Sequence, residues 1–133
     1  ESVVLKKHTP FKIYEEDSFH LAKTLFDYYK NTILITDLEK VVNGYGYKYG
    51  EYIDKSLTKA LINLIQKEEN YLGNIDNISS TIEEKNRILL YVLKNKEQVY
   101  GSILMIEDQI DINDSMKLML EFVSTYFAKK LEI

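Results

Sequence analysis

Between Arg87 and Glu107 the chain reads RILLYVLK, then NKEQ, then VYGSILMIE. Two runs rich in β-branched and aromatic residues flank four polar ones, the pattern of an antiparallel hairpin. A sheet with one wet face alternates apolar and polar residues. Here Ile88 to Leu93 and Ile103 to Ile106 are apolar on both parities. Such strands are buried on both faces, so the rest of the chain must supply a cover above and below. By alternation Leu89, Tyr91 and Leu93 share one face, and Ile88, Leu90 and Val92 the other. Gly101 is the place for a bulge or a close backbone contact.

The remaining elements follow from periodicity. Ser2–Lys7 reads as a strand ended by Pro10, whose ring removes a donor and disfavours helix at Thr9. Glu15, Glu16 and Asp17 then precede Phe19, Ala22, Leu25, Phe26 and Tyr29 at helical spacing, with Asp17 or Ser18 as the expected N-cap. Thr32–Thr36 and Val41–Val42 form a second hairpin around the turn Asp37–Lys40. The segment GYGYKYG (44–50) joins glycines to amphipathic rings. A one-faced helix is expected from Asp54 or Ser56, carrying Leu57, Ala60, Leu61, Leu64 and Ile65. Residues 68–85 read as loop with a short edge strand around Ile78–Ile82. Asn113 or Asp114 caps a last helix running to about Leu131. The expected fold is α+β: an antiparallel sheet with the terminal helices on one face and a covering helix and loop on the other.

The 133 residues make one domain, with no cysteine for a disulfide, thiol nucleophile or thiolate metal site. A net charge of −4 without a Lys/Arg block excludes DNA binding by bulk charge. No apolar run is long enough to span a membrane, and a cytoplasmic location is expected. No G-x-S-x-G, P-loop, H-x-x-x-H or C-x-x-C occurs, so neither catalytic residues nor an enzyme is expected. Asp108, Asp111, Asn113 and Asp114 lack the glycine and terminal glutamate of a calcium loop, and no metal site is assigned.

Two features point to binding. The final helix carries two apolar stripes where a surface helix needs one. Met119, Phe122, Val123 and Tyr126 form one stripe. Met116, Leu120, Phe127 and Leu131 form a second, which shares Val123 at its edge. The pair of stripes reads either as a broad core contact with the first helix packed alongside, or with the second, outer stripe as the expected homo-oligomer interface. The tyrosines Tyr45, Tyr47, Tyr49 and Tyr52 precede the covering helix and are placed to line a cavity against the sheet. The candidate ligand-binding residues are Ile35, Tyr45, Tyr47, Tyr52, Leu57, Leu61 and Leu90, for an unidentified small molecule and no resident cofactor.

The element order resembles the GAF-like sensor fold, and ILITDLEKVV also suits PAS domains. Four stretches resemble the C-terminal domain of the stage V sporulation protein T family, regulators related to AbrB. These are VLKKHTPF (4–11), ILITD (33–37), YIDKSL (52–57) and VYGSILMI (99–106). The resemblance implies a junction strand over 1–10, arriving from an AbrB-type DNA-binding domain, and a GAF-like regulatory domain over 11–133. It implies a sporulation transcription factor that forms a dimer or tetramer and meets DNA only through the N-terminal domain. Sensing of a small molecule would be coupled to that domain. The competing expectations are a PAS- or GAF-like module of a signalling enzyme such as a kinase, and a purely structural dimerisation domain with a filled core.

Overall fold

A computed structural model describes residues 10–132; the strand expected over Ser2–Lys7 lies outside them. A short helix α1 (Pro10–Ile13) leads into α2 (Glu15–Tyr29). The hairpin β1 (Ile33–Thr36) and β2 (Val41–Tyr45) follows, then α3 (Tyr49–Tyr52) and α4 (Lys59–Gln66). The chain closes with β3 (Tyr71–Ile75), β4 (Asn86–Lys94), β5 (Val99–Ile106) and α5 (Asp114–Leu131).

All strand pairs are antiparallel, in the order β2-β1-β5-β4-β3. The β4–β5 hairpin lies within this sheet, with β5 its central strand. Its turn is Asn95–Gln98: the Asn95 side-chain oxygen accepts from the N–H groups of Glu97 and Gln98 at 2.9 and 2.8 Å. An Asx turn of this kind gives the chain reversal a side-chain template. Leu93 pairs with Gly101 and Lys94 with Val99, so Tyr100 is the extra residue of a bulge.

The sheet separates two cores. On one side Ile33, Ile35, Leu89, Leu93, Ile103 and Met105 meet Ala22 and Leu25 of α2 and Met116, Leu120 and Phe127 of α5. On the other, Leu34, Ile88, Leu90, Val92, Leu104 and Ile106 meet Tyr52, Leu57, Leu61, Ile65 and Ile78. The double-sided apolarity of β4 and β5 is thus spent on two different helix layers. Burying a leucine or isoleucine contributes roughly 1.5–3 kcal/mol, so neither layer is dispensable.

Three boundaries differ from expectation. Helix α2 starts before Asp17, because the Ser18 hydroxyl turns back onto the Glu15 carbonyl at 2.9 Å and is buried beneath Asn43 Nδ2 (2.7 Å) instead of capping. Helix α4 starts at Lys59 with Thr58 as its N-cap, its hydroxyl accepting from Leu61 N. Residues ahead of it run alongside β2, with Val41 N donating to Lys55 O and Leu57 N to Glu39 O. The edge strand is Tyr71–Ile75; around Ile78–Ile82 only isolated bridges form, Leu57 with Ser79 and Ser79 with Ile82. Asn113 caps α5 as expected, its side chain accepting from Met116 N at 3.0 Å.

Candidate functional site

The GYGYKYG segment turns the chain across one end of the sheet. Gly46 has φ of 130°, and a Cβ there would lie 2.7 Å from Thr32 Cα, so only glycine fits. The turn deals the four tyrosines to opposite sides. Tyr45 packs edge-on against Phe19 and tilted against Phe26, with centroids 5.7 and 5.4 Å away, on the α2 side. Tyr47 leans on Phe26 and is 64% exposed. Tyr49 and Tyr52 pack on the α4 side.

A polar cluster fastens that end. The Tyr52 hydroxyl donates to Glu84 Oε1 at 3.2 Å, and the Lys48 ammonium pairs with Glu84 Oε2 and donates to Asn86 Oδ1 at 3.2 Å. Thr32 Oγ1 donates to Asp108 Oδ2 at 2.6 Å and accepts from Lys48 N. Asp108, a member of the acidic loop noted in the sequence, is therefore tied to β1. Burial, and then the negative Glu84, push the Tyr52 phenol up to about 12. The Lys48 hydrogen bond holds the Glu84 carboxyl below its usual range. Among the described residues no buried side-chain nitrogen or oxygen lacks a hydrogen-bond partner.

The seven candidate ligand residues do not share one cavity. Ile35 and Tyr45 lie on the α2–α5 side, with Tyr47 against Phe26 at that edge, whereas Tyr52, Leu57, Leu61 and Leu90 lie on the α4 side. Spacing along the chain does not reveal on which side of a sheet a loop deposits its rings. The four that do meet are packed in the core, Tyr52, Leu61 and Leu90 fully buried. The open space on this side lies further out: a groove of about 700 Å³ between α4 and β3, lined by Ala60, Leu64, Tyr71, Asn74, Ile75 and Asp76 among others. Of these the sequence assigns only Ala60 and Leu64 to an element, because residues 68–85 carry no clean period.

The interface expectation is corrected more sharply. Met116, Leu120, Phe127 and Leu131 face the sheet and are buried within the chain itself. The outward row is Leu118, Phe122 and Tyr126, exposed to 69, 68 and 54%. The rings of Phe122 and Tyr126 stack at 6.4 Å with an interplanar angle of 8°. Beside this row α2 runs antiparallel to α5, joined by Lys130–Asp17 at 3.1 Å near one end and Tyr29 Oη–Ser115 Oγ at 3.2 Å near the other.

Comparison with known proteins agrees with this architecture. The GAF-B domain of DevS from Mycobacterium smegmatis matches with a TM-score of 0.64 at 12% identity, covering 92% of this chain and 93% of that one. A second structure, of the second GAF domain of DevS from the same organism, matches with a TM-score of 0.62, also at 12% identity and with the same coverage. The fold is therefore GAF-like. No curated protein matches the chain in sequence. The family model described as stage V sporulation protein T C-terminal, transcription factor, matches residues 16–132. The chain belongs to that family, and is the regulatory GAF-like domain of a transcription factor.

Proposed function

We propose that this domain joins copies of a sporulation transcription regulator through the outward row of α5, and so sets the spacing of DNA-binding domains attached ahead of residue 10. The observation that carries the reading is Leu118, Phe122 and Tyr126 standing in a single i, i+4, i+8 row on the exposed face of α5. Isolated exposed apolar residues are ordinary, but a contiguous row on one helix is a contact surface. The row is self-complementary. With two copies antiparallel about a two-fold axis at Phe122, Leu118 of each copy meets Tyr126 of the other, and Asp114 approaches Lys129. The net charge of −4 leaves DNA contact to another domain. A cytoplasmic place of action follows from the same reading. Any small molecule that controls such an assembly does so only by its differential affinity for the two arrangements.

Sedimentation equilibrium of the 133-residue chain tests the reading. At about 100 μM the chain is expected to sediment above its monomer mass, and Phe122→Glu to return it to monomer with an unchanged circular dichroism spectrum. A charge at the centre of an apolar contact typically costs several kcal/mol of association. A wild-type chain that remains monomeric at that concentration overturns the proposal.

A further inference from the structure

The strand order leaves β3 with a neighbour on one side only. Which of its backbone groups point outward follows from the pleat of β4. Arg87 O accepts from Glu107 N on the β5 side, and Val92 N donates toward the β3 side, to the Asn70 side chain. Backbone groups alternate along a strand, so Asn86, Ile88 and Leu90 turn theirs to β3. Their register partners Ile75, Gly73 and Tyr71 complete the ladder. Leu72 and Asn74 are left presenting their N–H and C=O groups outward. The Asn74 carbonyl takes one bond, from the Tyr71 hydroxyl at 2.7 Å, and keeps its second lone pair.

Natural edges are usually blunted by lysine, proline or a bulge. The sequence of β3, YLGNI, contains no charge and no proline. It is also flanked by a receptacle. The groove of about 700 Å³ runs between this edge and α4, with Ala60, Leu64, Tyr71 and Ile75 as its apolar wall. Its sole charged lining side chain among the described residues is Asp76.

We propose that this edge and groove take an extended, basic peptide segment of a partner protein as a sixth strand. The guest pairs with the outward groups of Leu72 and Asn74, whose two-residue spacing matches the repeat of a strand. Alternate apolar side chains of the guest enter the groove against Leu64 and Ile75, and a lysine or arginine meets Asp76. The same carboxylate disfavours a peptide's C-terminal end, so the guest is an internal segment or one with a free amine.

The probe is a seven-residue peptide of alternating lysine and valine, blocked at both ends and titrated into the isotope-labelled 133-residue chain. Expected are amide shifts concentrated on β3 and α4, and slowed hydrogen exchange at Leu72 and Asn74. Asp76→Lys is expected to weaken binding about tenfold. The same peptide N-methylated at alternate residues is expected to lose binding, because it cannot complete the ladder. Leu72→Pro removes an outward donor without touching the ladder to β4, and is expected to act like the methylated peptide. If that variant does not fold, Asp76→Lys and the methylated peptide decide. Shifts that map elsewhere, equal binding of the methylated peptide, or no binding at about 1 mM peptide overturn the proposal. So does protection of Leu72 and Asn74 that rises with protein concentration alone, which would make the occupant a second copy of this chain.

Discussion

Gly101 shows how tightly single positions are constrained. A Cβ built there collides with the Thr36 carbonyl oxygen and lies 2.8 Å from Asp37 Cα, and φ is 157°. The approach is needed because Thr36 and Ser102 share a buried hydroxyl hydrogen bond of 2.7 Å one residue on. Gly50, with nothing within 4 Å of its would-be Cβ, is the internal control. Gly101→Ala is expected to lower stability by about 2–3 kcal/mol in urea unfolding. Gly50→Ala, inside α3, should be neutral or slightly stabilising. A change below about 0.5 kcal/mol for Gly101→Ala would refute the close-contact account. This position was readable in the sequence, since a glycine within an apolar strand has few other reasons to be there. The role of Ser18 was not, because a serine ahead of a helical period looks the same whether it caps the helix or turns inward to Asn43.

Among the elements, α3 is anchored in the core by Tyr52 and tied as well by polar contacts, and this latch titrates. The Tyr52 phenol rises from 10.0 to about 12 on folding. A raised pKa contributes stability that is complete below pH 10 and is lost as pH climbs toward 12. Tyr52→Phe removes that contribution, so wild type minus variant should be on the order of 1 kcal/mol near pH 8, after discount for solvent screening. The difference should shrink between pH 10 and 12; a difference independent of pH over that window refutes the latch. The legibility of the elements divides along physical lines. β4, β5 and α5 were plain because long apolar patterns leave few alternatives. β3 was missed because Gly73 and Asn74 interrupt its alternation. The stripe of α5 expected to face outward is the one that faces the sheet, and apolar character alone does not tell them apart because both stripes are apolar. A distinguishing signal exists: positions 116, 120, 123, 127 and 131 mix steps of three and four and stay on one side, whereas 118, 122 and 126 step by four and drift. Helices pack on sheets along the first kind of row.

At the scale of the molecule, the sheet divides labour. Its α4 side holds a filled apolar core with an open groove at the rim, and its α5 side holds a second core beneath an exposed aromatic row. If α5 joins two copies, assembly and folding are linked by mass action. The melting temperature of the wild-type chain is then expected to rise by a few degrees across a hundredfold range of protein concentration. That of Phe122→Glu should not move. Equal slopes for the two would separate the row from assembly.

Phe11 of α1 rests 6.4 Å from Phe127, near the C-terminal end of α5. The first described helix thus meets α5 at the corner where α5 ends. One ring contact ties the first described helix to the last. A rotation of α5 about its own axis turns Phe127 directly against Phe11, whereas a displacement on the α4 side must cross a five-stranded sheet first. The shortest mechanical path from the aromatic row therefore leads to α1.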